Sequence, residues 1–306
     1  MFIVFKKREF SDLINDTLAF FKEEGKAYFK NYFALCGALL LLLFVSFYFL
    51  FDMIFSSAQS SVDTNIDSFI ENNFALTFLI ILVAVVISII VSIISTAYPV
   101  YYLKHMIEIP KDYQSLTPIK NAIKKDLGRL FIFGIGTFVL ITPLLIIAMF
   151  FSILLIFLLV GIPLIIILIP LTTSLVYLAY FEYVTNGTSF FDSYQVAFNM
   201  IKSKFWMIVG NTCLLFLIIQ IISTAINAIS QLLFYGGLFV SEKNIFDLGN
   251  TEGGRLMFTV IMILSSLVSF IMNNIMIINQ GLIYYSIREQ KEGVQSNTDI
   301  DTIGSN

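Results

Sequence analysis

The chain has 306 residues, 58% hydrophobic and only 13% charged, with a net charge of −3. An average soluble domain is about one-quarter charged, and no soluble core could hide this much apolar surface. The small net charge says little, because the charges are sorted along the chain.

The N-terminus does not read as a cleavable signal peptide. Met1-Phe2-Ile3-Val4-Phe5 turns charged at Lys6, Lys7 and Arg8, and no apolar run follows until after residue 30. Residues 10–29 read as an amphipathic helix capped by Ser11, with Phe10, Leu13, Ile14, Leu18, Phe21, Tyr28 and Phe29 on one face. On this pattern Phe21→Asp should loosen the helix and Asp16→Ala should do little. Five stretches then lack Asp, Glu, Lys, Arg and His altogether: 31–51, 72–103, 130–181, 205–241 and 256–287. A charge at the bilayer centre costs roughly 2.5–3.5 kcal/mol, so uncharged apolar runs above about 18 residues read as membrane spans.

Cut by length, these runs give six spans, at about 31–55, 73–100, 130–158, 162–183, 205–231 and 256–284. The run from Leu130 to Phe181 is too long for one crossing, and Gly161-Ile162-Pro163 is its best turn. Further surface helices are expected at 117–129, where Thr117 caps and Pro118 follows, and at 189–204, where Ser189 to Asp192 has capping-box spacing. Residues 288–306 read as a disordered cytoplasmic tail. Residues 1–287 thus form a single all-α integral membrane domain.

Sixteen of the eighteen Lys and Arg residues fall in alternate connecting segments, and only Lys243 and Arg255 fall in the others. The positive-inside rule places both termini in the cytoplasm. The first outer loop, about 56–72, carries Asp63, Asp67 and Glu71.

A threefold repeat is legible: an amphipathic surface helix followed by a span hairpin. The even-numbered spans end alike, with Tyr98-Pro99-Val100-Tyr101-Tyr102-Leu103, Val176-Tyr177-Leu178-Ala179-Tyr180-Phe181 and Leu282-Ile283-Tyr284-Tyr285. Tyrosine gathers where an apolar ring and a wet hydroxyl are both served, so an aromatic belt is the simplest account.

The stretch from Thr188-Ser189-Phe190-Phe191-Asp192-Ser193-Tyr194-Gln195-Val196-Ala197-Phe198 to Lys204-Phe205-Trp206, with the earlier Gly161-Ile162-Pro163, carries a resemblance. It is similar to the six-span bacterial membrane domain found fused to glycerophosphodiester phosphodiesterases, and to its stand-alone relatives. The similarity covers most of residues 9–287 and implies a membrane domain of six spans. The sequence contains no phosphodiesterase domain, so nothing catalytic carries over.

Chemistry-bearing residues are sparse. The single histidine, His105, reads as a solvated boundary residue, and one histidine excludes a four-histidine iron site or a two-histidine zinc motif. Asp52 and Glu182 sit near span ends, where they stay hydrated. Cys36 and Cys213 fit neither a disulfide framework nor a metal motif. The Gly249 to Gly254 segment reads as an outer turn. No cofactor is implied, and no catalytic or metal-ligating set is present. Basic residues at the inner face suit topology and anionic lipid, not nucleic acid. Uncharged polar residues concentrate in spans five and six, among them Asn211 and Gln280. Gln220, Asn227, Asn273, Asn274 and Asn279 are the candidates for a polar seam between these spans, either structural or lining a cavity for a lipid headgroup or small solute. Two functions follow as expectations. One is a non-catalytic accessory or scaffold protein that contacts lipids and other inner-membrane proteins. The other is a carrier or lipid-handling protein that uses the seam.

Overall fold

A computed structural model describes residues 2–60, 66–109, 113–241 and 252–293. Hydrocarbon offers no hydrogen bonds, so a spanning backbone must satisfy its own N–H and C=O groups, as a helix does. The described residues accordingly form helices and no strand. Among the described residues the α-helices are α1 (Phe10–Ser60), α2 (Ile66–Glu108), α3 (Leu116–Leu154), α4 (Gly161–Asn186), α5 (Phe190–Ser203), α6 (Asn211–Ser241) and α7 (Glu252–Glu292). A 3₁₀ turn, Leu155–Leu158, follows α3, and a π turn, Trp206–Gly210, precedes α6. Six helices are long and apolar enough to cross a membrane, α5 being the exception. Ile132, Phe138, Val139 and Ile146 of α3 are exposed, as lipid-facing side chains would be.

The expected boundaries shift in instructive ways. Residues 10–29 and 31–55 are one continuous helix, and so are 117–129 and the span that follows them. No proline interrupts the backbone at either join, so the helical hydrogen bonds simply propagate. Ser11 lies inside α1; instead the Asp12 carboxylate accepts the Glu9 N–H at 3.1 Å. Thr117 and Pro118 fall in the first turn of α3, behind Ser115. Only the third surface helix stands alone. Ser189 caps it by accepting the Asp192 N–H at 3.2 Å, and it ends at Lys204, whose φ of −136° and ψ of 42° leave the helical region.

The turn between α3 and α4 lies just before Gly161, at Leu159, a non-glycine with φ of 58°. Gly161-Ile162-Pro163 is the first turn of α4, where proline is tolerated. The glycine is there for proximity: a Cβ would sit 2.1 Å from the Ser152 carbonyl oxygen. At the C-terminal end, α7 runs on through Glu292, so residues 288–292 are helical rather than disordered. Arg288 Nε and Nη2 donate to Glu292 at 2.8 and 3.0 Å across one turn. Residues 61–65 of the outer loop, Lys111, Lys243, Gly249, Asn250, Thr251, the tail from 294 and the side chain of Asp52 lie outside the described residues.

The chain forms two compact units: Met1–Phe33, Ser95–Ile218 and Asn273–Asn306 in the first, Ala34–Ile94 and Ile219–Met272 in the second. In the first unit the C-terminal ends of α2, α4 and α7 meet at Gly281. A Cβ there would lie 2.4 Å from Leu103 and 2.5 Å from the Phe181 ring. The extended segment before α1 is bound into the same unit. Phe2 and Val4 are buried, and the Arg8 backbone N–H donates to Ser286 Oγ of α7 at 2.8 Å. The Arg8 guanidinium is fully enclosed. It donates to the carbonyls of Ile3 (2.6 Å), Val4 (2.7 Å) and Lys6 (3.1 Å), and to Asp16 Oδ2 at 2.8 Å. Burial pulls its pKa down, and Asp16 opposes that pull.

Asp16 is therefore more than a solvated residue on the polar face, as the sequence pattern suggests. It is the counter-ion of a buried cation. Asp16→Ala should cost about 2–3 kcal/mol, because it leaves an enclosed charge without its anion. Detergent-phase thermal unfolding of Asp16→Ala beside Asp12→Ala measures this. Equal melting of Asp16→Ala and the wild type would refute it.

Candidate functional site

The tyrosines at the ends of the even-numbered spans are not a lipid-facing belt. Tyr98, Tyr101, Tyr102, Tyr180, Tyr284 and Tyr285 are all buried in the first unit. Three of their hydroxyls act as inter-helix bolts, while that of Tyr102 is buried without a hydrogen-bond partner. Tyr98 donates to the Tyr28 carbonyl at 2.8 Å, Tyr101 to Asp126 at 2.5 Å and Tyr284 to Glu182 at 2.8 Å. Glu182 also accepts from Asn186 Nδ2 at 2.9 Å. It is thus buried and held by protein groups, not by the interfacial water its sequence position suggests. His105, expected to be solvated, is likewise buried. The amphipathic ring explains both readings: a tyrosine that suits an interface also suits a buried position next to a polar partner.

The five seam candidates do not converge. Asn227 accepts from Ser265 Oγ at 2.8 Å, a bond between α6 and α7 within the second unit. Asn273 accepts from Tyr177 of α4 at 2.9 Å, and Asn274 from Tyr28 of α1 at 2.6 Å. Asn279 donates to Thr17 of α1 at 3.0 Å. Gln220 is exposed. Only Asn227 thus joins spans five and six. The others point from α7 toward α1 and α4, because a helix surrounded by neighbours offers its polar side chains several partners.

A different polar cluster emerges where α1, α6 and α7 meet in the first unit. Thr212 donates its one proton to the Ile208 carbonyl (2.7 Å), so it accepts from Gln280 Nε2 (2.7 Å) and from Ser174 (2.8 Å). Thr17 donates to the Leu13 carbonyl at 2.6 Å and so accepts from Asn279. Asn211 Nδ2 donates to the Phe10 carbonyl at 3.1 Å. These acceptors orient all three amides with nitrogen toward the protein. The remaining oxygens, Asn211 Oδ1, Asn279 Oδ1 and Gln280 Oε1, are buried and receive no hydrogen bond. Each such oxygen costs about 1–3 kcal/mol if left dry.

Of this cluster, only Asn279 belongs to the seam set. Asn211 and Gln280 are visible in sequence as polar residues in apolar runs. Thr17, Ser174 and Thr212 pass unnoticed, since hydroxyls in helices commonly bond their own backbone. The signal that could have found the cluster is adjacency: Asn211-Thr212 and Asn279-Gln280 are polar pairs in otherwise apolar surroundings.

The pairing geometry makes a double-mutant test. Asn227→Leu and Ser265→Ala should each cost about 1 kcal/mol and be non-additive, since they remove the same bond. Asn227→Leu and Asn273→Leu should add, because each has its own partner. Additivity of the first pair in detergent unfolding would show that the Asn227–Ser265 bond contributes nothing.

Compared with known proteins, the chain matches no family model, no curated protein and no solved structure.

Proposed function

We propose that this protein is a non-catalytic accessory or scaffold protein of a bacterial inner membrane, a partner within a larger membrane complex. The observation that carries this reading is the fate of the seam. Four of its five amides are hydrogen-bonded to side chains of neighbouring helices. Polar groups engaged this way brace helices, and none of the four bonds needs a solute. The resemblance of residues 188–206 to a domain found fused to a separate enzyme supports the same reading.

The exposed side of α5 supplies a surface for this role. Phe191 and Phe198 are exposed, as is Trp206 of the following π turn, while Ser193, Tyr194, Ala197, Met200 and Ile201 are buried. Phe191 and Phe198 lie beside Gln195 and Lys202 on the helix circumference. A helix with an apolar flank and a polar outer edge suits the inner membrane surface, in contact with lipid or a neighbouring protein. Burial pushes the Tyr194 hydroxyl, which pairs with Thr137 at 2.8 Å, up to about 12, so it stays neutral at physiological pH.

The carrier reading keeps one supporting observation, the three unmatched amide oxygens at α1, α6 and α7. Purification in mild detergent followed by native mass spectrometry separates the two. A protein partner retained in fixed ratio supports the scaffold. A retained lipid or solute with no protein partner overturns it in favour of the carrier.

The positive-inside partition supports cytoplasmic termini. In a cysteine-free background, Lys202→Cys and Lys124→Cys should react only after the membrane is permeabilised, and Lys243→Cys should react in intact cells. Labelling of Lys124→Cys from outside would reverse the orientation.

A further inference from the structure

We propose that α5 and the π turn after it bind anionic phospholipid of the inner leaflet, with Phe191, Phe198 and Trp206 in the acyl boundary and Lys202 and Lys204 on headgroup phosphate. This rests on the reading of α5 as a helix of the inner membrane surface and commits its outer stripe to lipid. The helix sits deep. Its buried side packs on α3 between Phe133 and Thr137. Tyr194 pairs with Thr137 at 2.8 Å, and the rings of Phe190 and Tyr194 lie 5.5 and 5.8 Å from that of Phe133. A Cβ at Gly136 would sit 2.8 Å from the Phe190 ring. Arg129 is the last charge of α3, and Phe133 to Thr137 lie about 6–12 Å beyond it along the helix axis. At that level α3 exposes Phe131, Ile132, Ile135 and Phe138. A helix seated there lies in the headgroup–acyl boundary, the depth at which interfacial helices bury their apolar side.

Charge and spacing name the occupant. Phe191, Gln195, Phe198 and Lys202 recur at helical spacing, so they share one stripe, and all four are exposed. Lys204, also exposed, ends the helix. Trp206, 74% exposed, opens the apolar span that follows. Tryptophan favours the headgroup level, and a lysine stem can lie along apolar surface while its ammonium reaches phosphate. Among the described residues the ion pairs engage Lys6, Arg8, Lys104 and Arg288, and none engages Lys202 or Lys204. Asp192, the only acid of α5, is held at the helix start by Ser189. The two ammoniums are thus left to an outside anion, and at this depth that anion is lipid phosphate. A zwitterionic headgroup brings its own cation, so a net negative one is preferred. A soluble acidic partner would meet the lysines but not rings seated below the headgroups.

The test reconstitutes the full chain in phosphatidylcholine nanodiscs and uses Trp206, its single tryptophan, as the reporter. Lipid brominated near the carbonyl end of its acyl chain should quench Trp206 more than lipid brominated near the methyl end. At the same low mole fraction, brominated phosphatidylglycerol should quench more than brominated phosphatidylcholine. The preference should be about fivefold per lysine and should fall with salt. Lys202→Gln with Lys204→Gln should bring the two lipids to equality. The charge-matched pair Lys22→Gln with Lys26→Gln, on α1, should keep the preference, and so should excess inorganic phosphate at constant ionic strength. Trp206 unquenched by every brominated lipid would overturn lipid as the occupant. Equal quenching by the two headgroups in the wild type, or equal loss in both double variants, would overturn the phosphate site. Displacement by inorganic phosphate would overturn the lipid source. The wild-type arms stand even if a variant does not fold. None of these outcomes depends on a retained protein partner, so this proposal and the scaffold fail separately.

Discussion

A hydrocarbon solvent supplies no hydrogen bonds, and the rest of this structure follows from that constraint. Backbone groups meet it by forming helices from end to end, which is why the expected break after residue 30 is absent and α1 runs from Phe10 to Ser60. Side chains meet it by finding each other. Asn227 with Ser265, Asn273 with Tyr177 and Asn274 with Tyr28 are the same solution at three places. The exceptions are the oxygens of Asn211, Asn279 and Gln280, the Tyr102 hydroxyl and the ring nitrogens of His105, which are buried without a hydrogen-bond partner.

The same constraint governs charge. Arg8 is enclosed, yet every nitrogen of its guanidinium meets a carbonyl or the Asp16 carboxylate. The extended segment that carries it is thereby tied to α1, and through Ser286 to α7. Tyrosine does related work at the ends of α2, α4 and α7. Its ring contributes apolar area to the core while its hydroxyl reaches a carbonyl or carboxylate on the next helix. Gly281 lets those helix ends approach, since Leu103 and Phe181 occupy the space a larger residue would need.

Six apolar helices were legible in the sequence because a charge-free run of about 20 residues has few other physical explanations. The Ser189 cap was legible too, since a capping pattern acts over three residues. What failed were readings that depend on a third dimension. Ser11 and Thr117 look like caps but lie inside helices, because nothing local stops the helix one residue earlier. Glu182 and His105 look wet because they lie near span ends. Their neighbours, not their sequence depth, decide whether water reaches them.

The candidate site divides along the same line. That α6 and α7 carry amides at Asn227, Asn273, Asn274 and Asn279 is written in the chain. That these amides serve α1 and α4 as well as each other is not, because hydropathy reports depth along a helix and is silent about the azimuth of each side chain. The sequence by itself determined membrane class, span number and the sorting of charge, since these depend on one-dimensional composition against a slab of fixed thickness. Partner choice was decided only by the tertiary structure. A hydrogen bond needs a donor and an acceptor within about 3 Å, and residues such as Thr17 and Asn279 come that close only when the helices pack.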